Sequence, residues 1–459
     1  MLRPNILIIT TDQQRWDALG ANGNRDIQTP NLDWLAAEGL SFDHCFVQHP
    51  LCMPSRVSFL TGMYPASLGI LQMGVPAPPE TLTLARLLQS AGYHTANIGK
   101  LHLLPHANRD HREPHPSYGF EHLEISDEPG VYEDAYRAWV RRVAPDQLDC
   151  LSFGLPPAAY SWYTTMGARY DFGGPLPFTG DERYTHSAFV AEQTNAFLAR
   201  QQAGQPFLCI AGFYSPHAPW VVPQRYLDLY DPETFELPEL RQATAAERAA
   251  AGCSEARLRA ARHGYYAMIS EVDQYVGRIL DQLEQQQLAE RTIVVFTSDH
   301  GEWLGEHLKY GKGYPGDDLV ARVPLIVRWP AGIIAPDRTV SAIVEAVDVL
   351  PTLLECAGVQ VPPHVQGLSF AAALSDAAFA GRDSALMEHA GWKNLRTARY
   401  RYLIHADGSE RLWDLECDPR ECHDVAGEPA YAPVLAEHRR LLLARLIEQE
   451  RPLARTWPY

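Results

Sequence analysis

The stretch NILIITTDQ, at residues 5–13, is an unbroken apolar run that ends in two polar residues, Asp12 and Gln13. Three later runs have the same form, and polar or charged side chains follow each of them: residues 95–98, 207–213 and 292–298. Continuous runs of Val, Ile and Leu are typical of strands that are buried on both faces, as in parallel sheets. We therefore interpret these four runs as strands of one buried sheet.

Segments with helical periodicity lie between these runs. The clearest covers about residues 264–287, where apolar side chains recur at helical spacing. Other helices are predicted at residues 31–38, 81–91, 186–201 and, as an exposed helix, 243–261. Strands that alternate with helices predict an α/β fold, in which helices sandwich a large, mostly parallel sheet.

After about residue 380 the pattern changes to short alternating strands. Three stretches carry this pattern, LMEHA, WKNLRTARYRYLIHA and ERLWDL, and Asp407-Gly408 is a hairpin signal. A helix is predicted at about 431–449. We therefore expect a catalytic domain at residues 1–380 and a small C-terminal α+β subdomain at 381–459, built from an antiparallel sheet and a helix that pack on the first domain.

Residues 103–184 are rich in Pro, His, Tyr, Trp and Gly and show weak periodicity. We interpret them as long loops over the site, of which a part is only surface. The aromatic stretch YSWY at 160–163 and Tyr170 either line a substrate pocket or take part in ordinary packing. The same segment holds a loose group of histidines to which we assign no metal: His106, His111, His115 and His122.

The composition excludes several classes of protein. Hydrophobic residues make up 46% and charged residues 21% of the 459 residues, which excludes a mainly disordered chain. Acidic residues outnumber basic ones by 56 to 39, a net charge of −17, so little basic surface is left to displace phosphate counterions. No apolar run approaches the roughly 18 residues of a membrane helix. We expect neither a nucleic-acid partner nor a membrane.

The N-terminal segment MLRPNILIIT lacks the pattern of a signal peptide, because its apolar run is only about five residues long and no small-residue cleavage site follows. We expect the protein to be cytoplasmic. The eight cysteines include no CxxC pair, and in a reducing compartment most should be buried or free thiols. Cys52 is the one cysteine whose sequence context suggests a functional role.

Polar residues follow the ends of the four predicted strands. In open α/β sheets, ligands bind beyond the carboxyl ends of the strands, so residues that are far apart in the chain meet at one edge. We therefore expect one site at this edge. Six side chains should converge there: Asp12, Lys100, His102, His217, Asp299 and His300.

The segment CMPSR, at residues 52–56, supplies further candidates. A cysteine just before a helix that begins at a proline lies where backbone N–H groups and the helix dipole favour negative charge, and Arg56 adds a fixed cation. Taken alone, the segment favours a buried thiol near a helix cap over a reactive cysteine.

Together with the motifs around it, this segment resembles the hallmark of the type I sulfatases, formylglycine-dependent enzymes of the alkaline-phosphatase-like superfamily. C-x-P-S-R followed by LTG at 60–62 resembles their cysteine motif, and residues 5–15 resemble their first strand and metal loop. The resemblance spans nearly the whole chain and is specific, because the motifs occur in the family's order. The others are TPNLDWLAAEG at 29–39, GKLH at 99–102, SPHAP at 215–219, TSDHGE at 297–302 and LWDLECDPRE at 412–421.

The resemblance implies one divalent metal ion. Its ligands would be the carboxylates of Asp12 and Asp299, the Gln13 amide, the His300 imidazole and the residue at position 52. This set suits Ca²⁺, Mg²⁺ or Mn²⁺ better than Zn²⁺. Many relatives have Asp where Gln13 stands and Asn where His300 stands. We expect Ca²⁺ first, and the nitrogen of His300 makes Mn²⁺ the alternative.

The resemblance also implies how the reaction starts. A formylglycine-generating enzyme oxidises Cys52 to formylglycine after translation. The hydrated aldehyde presents two geminal hydroxyls, of which one attacks the sulfur of the substrate. Arg56, Lys100, Lys312 and the metal spread the charge that develops on the equatorial oxygens.

Proton transfers in that cycle would fall to three side chains. Either His217 or Lys312 protonates the departing alcohol, and His102 takes a proton from the second hydroxyl, so that sulfate leaves and the aldehyde returns. In the stretch HLKYGKG at 307–313, Lys309 competes with Lys312 for its role. We choose Lys312, because its 13-residue offset from Asp299 resembles the family spacing.

We therefore expect a sulfatase, a hydrolase such as an arylsulfatase that acts on a small-molecule sulfate ester. The alternative is a phosphonate monoester or phosphodiester hydrolase of the same superfamily, which the Asp-Gln and Asp-His loops also resemble. The pair Lys100 and His102 favours sulfate, because members specialised for phosphonates tend to carry hydroxyl side chains there. A non-catalytic metal-binding relative is the third hypothesis. The sequence leaves open whether the chain forms a homo-oligomer.

Overall fold

The four apolar runs lie side by side in the computed structural model of the chain, in one large sheet. The structure describes residues 3–105, 113–130, 133–151, 173–202, 204–240 and 243–450. Several residues considered above lie outside these ranges: His106, His111, Tyr170 and the aromatic stretch at 160–163.

The strands form one large sheet, a four-stranded C-terminal sheet and a two-stranded pair, β5 with β7. The strands are β1 Asn5–Thr11, β2 Leu40–Phe46, β3 His94–Gly99, β4 His122–Ile125, β5 Leu176–Pro177, β6 Phe207–Gly212, β7 Val221–Val222, β8 Thr292–Ser298, β9 Arg322–Val323, β10 Leu325–Arg328, β11 Arg338–Glu345, β12 Ser384–His389, β13 Trp392–Thr397, β14 Tyr400–His405 and β15 Glu410–Asp414.

The large sheet runs in the order β11-β2-β10-β8-β1-β6-β3-β4, and β9 pairs with β2. β1 lies at its centre, parallel to β8 on one side and to β6 on the other. β3 and β4 continue the parallel order beyond β6, whereas β10 runs antiparallel to β8 and to β2. The prediction of a mostly parallel sheet is therefore confirmed.

Helices cover both faces of this sheet. The helices of the described residues are α1 Pro30–Ala37, α2 Cys52–Thr61, α3 Pro65–Leu68, α4 Leu84–Ser90, α5 Ala135–Val143, α6 His186–Ala199, α7 Gln224–Leu227, α8 Ala245–Ala250, α9 Glu255–Gln285, α10 Asp318–Ala321, α11 Val349–Cys356 and, on the C-terminal sheet, α12 Ala432–Glu448. Alternate side chains of β1 point to opposite faces, so Ile6 and Ile8 join one core cluster and Leu7 and Ile9 the other. Helices α2, α4 and α11 cover the first cluster, and α6 and α9 the second.

The exposed helix predicted at 243–261 is wrong, because the structure divides this run. Gly252, at φ 65°, follows the short helix α8, and α9 then begins at Glu255 rather than near residue 264. The Ser254 side chain accepts the backbone N–H of Arg257 and so caps the first turn of α9. The turn at Gly252 and the cap at Ser254 thus divide the Ala-rich segment between two helices.

The segment at 103–184 contains regular structure where we expected loops alone. β4 extends the parallel order at the edge of the sheet, and α5 follows, capped by Asp134, which accepts the N–H of Arg137 at 3.0 Å. The four residues of β4 are all half-buried. A strand this short, with no fully buried face, produces too little apolar periodicity for detection in the sequence.

The C-terminal sheet is an antiparallel meander, β12-β13-β14-β15, closed by α12, as predicted. Gly408, at φ 83°, lies in the turn between β14 and β15, where Asp407-Gly408 predicts a hairpin. Among the described helices, none has both the length and the apolar character needed to cross a bilayer. All eight cysteines are free thiols. The domain boundary at 380 and the cytoplasmic location stay predictions.

A buried ion-pair network joins α12 to the large sheet. Arg445 of α12 contacts Glu345, at the end of β11, at 2.9 Å, and Arg382 contacts the same carboxylate at 3.0 Å. The Tyr64 hydroxyl donates a further hydrogen bond to Glu345. Burial opposes ionisation of this carboxyl, but Arg445 and Arg382 outweigh burial and lower the pKa of Glu345. The carboxylate is therefore held charged in the interior.

The variant Arg445→Leu is expected to lower the free energy of unfolding by about 3 kcal/mol, because removal of one partner leaves a buried carboxylate under-compensated. Urea denaturation followed by circular dichroism measures the change. Arg440→Leu is the matched control on the same helix, since Arg440 pairs with Glu437 in solvent, and it should change the free energy of unfolding far less. Equal losses in the two variants would contradict a special contribution of the buried network.

Candidate active site

Cys52 is the first residue of α2. We expected the helix to begin after the cysteine, at the proline, but it begins at the cysteine itself. Pro54 lies in the first turn, where its missing N–H costs no helical hydrogen bond. Arg56 follows one turn later and therefore shares a helix face with Cys52. Both side chains are buried. The first turn of α2 thus directs a thiol and a guanidinium to the same side.

Residues from two strand ends and a loop surround the sulfur atom of Cys52. Lys312 Nζ lies 2.6 Å from Cys52 Sγ, His300 Nε2 lies 3.2 Å from it, and Asp12 Oδ1 lies 3.7 Å from it. Asp12 follows β1, and His300 follows β8, so the strand ends meet as the parallel sheet requires. Burial, and after it the Asp12 carboxylate, raises the pKa of the Cys52 thiol to about 11.

Asp12 lies between two lysines. Lys100 Nζ contacts Asp12 Oδ2 at 2.5 Å, and Lys312 Nζ lies 3.7 Å from Asp12 Oδ1. Burial opposes ionisation of Asp12, but Lys100 and Lys312 outweigh it, so the pKa of Asp12 lies well below its usual range. Burial alone would lower the pKa of Lys100, whereas Asp12 raises it above its usual value. These groups are therefore charged.

Arg56 ties α2 to the loop after β8. Its Nε donates to Asp299 Oδ2 at 2.7 Å, and its Nη1 donates to the carbonyl oxygen of Lys100 at 3.2 Å. Ser55 Oγ donates to the carbonyl oxygen of Asp299 at 2.6 Å. Burial opposes ionisation of Asp299, but Arg56 lowers the pKa of this carboxyl below its usual value. The guanidinium is thus fixed by its own partners before any ligand arrives.

Four side chains are placed to hold one cation. Asp12, Cys52, Asp299 and His300 each offer one ligand atom, and these atoms lie within 4.8 Å of one another. His300 Nδ1 donates to the carbonyl oxygen of Gly301 at 2.9 Å, which leaves Nε2 facing the carboxylates of Asp12 and Asp299 at 3.6 and 3.5 Å. Burial lowers the pKa of His300 to about 4, so the ring is neutral.

Gln13 lies beside this group and contacts Asp299. Its backbone adopts φ 73°, in the left-handed region that residues with a side chain rarely occupy, and its N–H donates to Asp299 Oδ1 at 3.0 Å. Gln13 Oε1 is buried and has no hydrogen-bond partner among the residues that the structure describes. Two carboxylates, an unpaired amide oxygen and a neutral imidazole fit a hard or borderline cation such as Ca²⁺ or Mn²⁺.

His217 and Lys309 differ in their relation to this centre. His217 follows β6, and its Nδ1 donates to the carbonyl oxygen of Ala218 at 2.6 Å. Burial, and after it Lys312, lowers the pKa of His217 to about 3. Lys309 Nζ instead donates to the carbonyl oxygen of Tyr314 at 3.0 Å and lies 4.8 Å from the Trp303 ring centre. The lysine at Cys52 is therefore Lys312 and not Lys309.

His102 is buried two residues after Lys100, with a strained backbone at φ 53°. Asp127 Oδ1 accepts the backbone N–H groups of Leu101 and His102, at 2.9 Å each, and so holds this loop in place. Asp127 was not predicted from the sequence. It follows β4, so a sequence signal for that strand would have placed Asp127 among the residues at strand ends.

Glu302 is a second residue that was not predicted from the sequence, although it ends the motif TSDHGE. It is fully buried, and its carboxylate accepts the N–H of Leu304 at 3.0 Å, the N–H of Gly311 and the Gln13 side-chain amide. Burial raises the pKa of Glu302, and these donors oppose the rise. Glu302 thus links the loop after β1 to the loop that carries Lys312.

Comparisons with known proteins show the family of this chain. A family model described as sulfatase matches residues 4–359, and a model described as N-sulphoglucosamine sulphohydrolase, C-terminal, matches residues 305–449. The chain is 30% identical to an arylsulfatase of Clostridium perfringens, with 98% of this chain and 95% of that protein covered. It is also 30% identical to an ulvan-active sulfatase of Formosa agariphila, with 97% and 81% covered.

Solved structures show the same architecture. The crystal structure of a phosphonate monoester hydrolase of Agrobacterium radiobacter matches with a TM-score of 0.81 at 26% identity, over 97% of this chain and 96% of that one. That likeness confirms the alkaline-phosphatase-like fold, and the family model confirms the prediction of a sulfuric-ester hydrolase. The chain belongs to the sulfatase family, within the alkaline-phosphatase-like superfamily.

Proposed function

We propose that this chain hydrolyses small-molecule sulfate monoesters with a formylglycine made from Cys52, beside one bound divalent cation. The observation that carries the proposal is the position of Cys52, at the first turn of α2, with Asp12, His300 and Lys312 all within 3.7 Å of its sulfur. A formylglycine-generating enzyme would supply the oxidation. The oxygens of the converted residue would then face the same three groups.

The charges around Cys52 suit an anionic ester. Three cations, Arg56, Lys100 and Lys312, stand against two carboxylates, Asp12 and Asp299. Arg56 and Lys100 are held by buried partners, so little reorganisation is needed when charge develops on the sulfate oxygens. Such fixed charges are the largest contribution to many enzymatic accelerations.

Asp12, Gln13, Asp299 and His300, together with the converted residue at 52, would hold the cation. A bound divalent cation would lower the pKa of a hydroxyl at position 52 and withdraw charge from the sulfate group. The hydrated aldehyde supplies one hydroxyl for attack on sulfur and a second whose loss of a proton expels sulfate. We expect Ca²⁺ because most of the ligand atoms are oxygens, with Mn²⁺ as the alternative because His300 supplies a nitrogen.

The chain's own side chains would move the protons. The protonated Nζ of Lys312 lies 2.6 Å from Cys52 Sγ, whereas the Nδ1 proton of His217 is donated to the carbonyl oxygen of Ala218. This arrangement favours Lys312 over His217 as the donor to the departing alcohol. His102, held through its backbone by Asp127, would take the proton of the second hydroxyl.

Phosphonate monoester hydrolysis is the second candidate, and the likeness to the Agrobacterium radiobacter enzyme favours it. Both kinds of ester are monoanions, so the charge of the site does not separate them. Lys100 and His102 favour sulfate, since members specialised for phosphonates tend to carry hydroxyl side chains at these positions. Homo-oligomerisation stays a prediction.

A kinetic comparison tests the proposal. Metal-stripped enzyme is assayed with 4-nitrophenyl sulfate and with a 4-nitrophenyl phosphonate monoester, so that the leaving group is the same, after addition of Ca²⁺ or Mn²⁺. We expect kcat/KM for the sulfate to exceed that for the phosphonate by at least about tenfold, with no turnover before metal is added. A phosphonate preferred by orders of magnitude, or full activity in the stripped enzyme, would contradict the proposal.

A further inference from the structure

Gln13 and Glu302 contact each other in the buried part of the site, where they are 1% and 0% exposed. Gln13 Nε2 donates to Glu302 Oε2. Glu302 Oε1 accepts the backbone N–H groups of Leu304, at 3.0 Å, and Gly311. Both carboxylate oxygens therefore meet donors, and one of these donors is the side chain of a proposed cation ligand.

This contact determines which way the Gln13 amide points. Gln13 Nε2 donates to Glu302, so the NH₂ end of the amide faces Glu302 and Oε1 lies on the opposite side of the amide group. Gln13 Oε1 has no hydrogen-bond partner within the described ranges. The backbone N–H of Gln13 donates to Asp299 Oδ1 at 3.0 Å, which anchors the residue beside another proposed ligand. In the opposite orientation the amide would offer NH₂, which cannot bind a cation.

We propose that Glu302 is a positioning residue for the cation, because it holds the Gln13 amide with its oxygen towards the metal. This inference rests on the proposed function, since it needs a cation bound by Asp12, Asp299 and His300. It also explains why an amide serves at position 13. A carboxylate there would have no N–H to donate to Glu302, so the hydrogen bond from position 13 to Glu302 Oε2 would be lost.

Glu302 also holds the loop that carries Lys312, through the N–H of Gly311. The test must therefore separate amide orientation from loop structure. Glu302→Gln keeps an oxygen for Leu304 and Gly311 but presents NH₂ to Gln13, so the Gln13 amide must turn its oxygen away from the cation. In the double variant Gln13→Glu with Glu302→Gln, the new amide at 302 donates to the new carboxylate at 13, and the other carboxylate oxygen again faces the cation.

Titration calorimetry of the stripped full-length chain with Ca²⁺ alone and with Mn²⁺ alone measures the effect, with formylglycine content matched by intact mass. We expect Glu302→Gln and Gln13→Glu each to weaken binding by about 10- to 100-fold, and the double variant to recover most of that loss. Glu306→Gln is the matched control, because Glu306 lies on the same loop as Glu302 but pairs with Arg15. This variant should bind metal like the wild type.

Each outcome decides the question. Unchanged affinity in Glu302→Gln, or no recovery in the double variant, overturns the inference, while metal binding by the wild type leaves the proposed function in place. A wild type that binds neither ion overturns both. If Glu302→Gln fails to fold, Gln13→Glu is sufficient: it must weaken binding although it adds a carboxylate, and a gain in affinity overturns the inference.

Discussion

The Cys52→Ser variant is expected to release about one equivalent of alcohol per enzyme and then to stop. Serine offers one hydroxyl, so once sulfate has been transferred to it, no second hydroxyl remains on the same carbon to expel the sulfate. We expect the steady-state kcat to fall by about 10⁴-fold or more. Intact mass spectrometry after incubation with an aryl sulfate should show an adduct of about 80 Da on the variant.

Two controls accompany this variant. The wild-type chain should be about 18 Da lighter than its sequence requires, because the conversion of a thiol to an aldehyde removes that mass. Cys52→Ala, which has no hydroxyl, should give neither an adduct nor turnover. Full activity in a wild-type chain of unchanged mass would contradict the formylglycine mechanism, and so would sustained turnover by Cys52→Ser.

The central strands could be predicted because burial on both faces leaves a local trace in the sequence. β1 and β8 match their predicted bounds, and every residue of both is buried. β4 leaves no such trace, since its four half-buried residues become a strand through pairing with β3, which lies more than twenty residues earlier. For this reason Asp127, which follows β4, could not be inferred from the sequence.

The site shows the same division. Asp12 and Asp299 follow neighbouring parallel strands, so their proximity follows from the sheet alone. The position of Cys52 beside them could be predicted from the resemblance of its motif to the family. Their catalytic roles stay predictions. Glu302 differs, because its proposed role is to orient the side-chain amide of Gln13, which lies 289 positions away in the chain. Residue spacing contains no information about side-chain orientation, so this contact required coordinates.

Lys312→Met is expected to slow alkyl sulfates far more than 4-nitrophenyl sulfate. Both substrates lose the stabilisation that a cation 2.6 Å from Cys52 Sγ gives to developing charge, about 10²-fold. An alkyl sulfate loses about 10²-fold more, because an alkoxide is a poor leaving group and needs a proton in the transition state, whereas 4-nitrophenolate does not. The ratio of kcat/KM values for the two substrates measures this second loss by itself.

His217→Gln is the comparison that assigns the proton. The His217 ring is neutral, and its Nδ1 proton is held by Ala218, so its replacement should slow both substrates by a similar factor and leave the ratio near that of the wild type. If the alkyl substrate alone fails in His217→Gln, while Lys312→Met slows both equally, the donor is His217 and Lys312 acts through charge alone. Because the leaving group is the sole difference between the assays, general loss of folding or of metal cannot imitate either result.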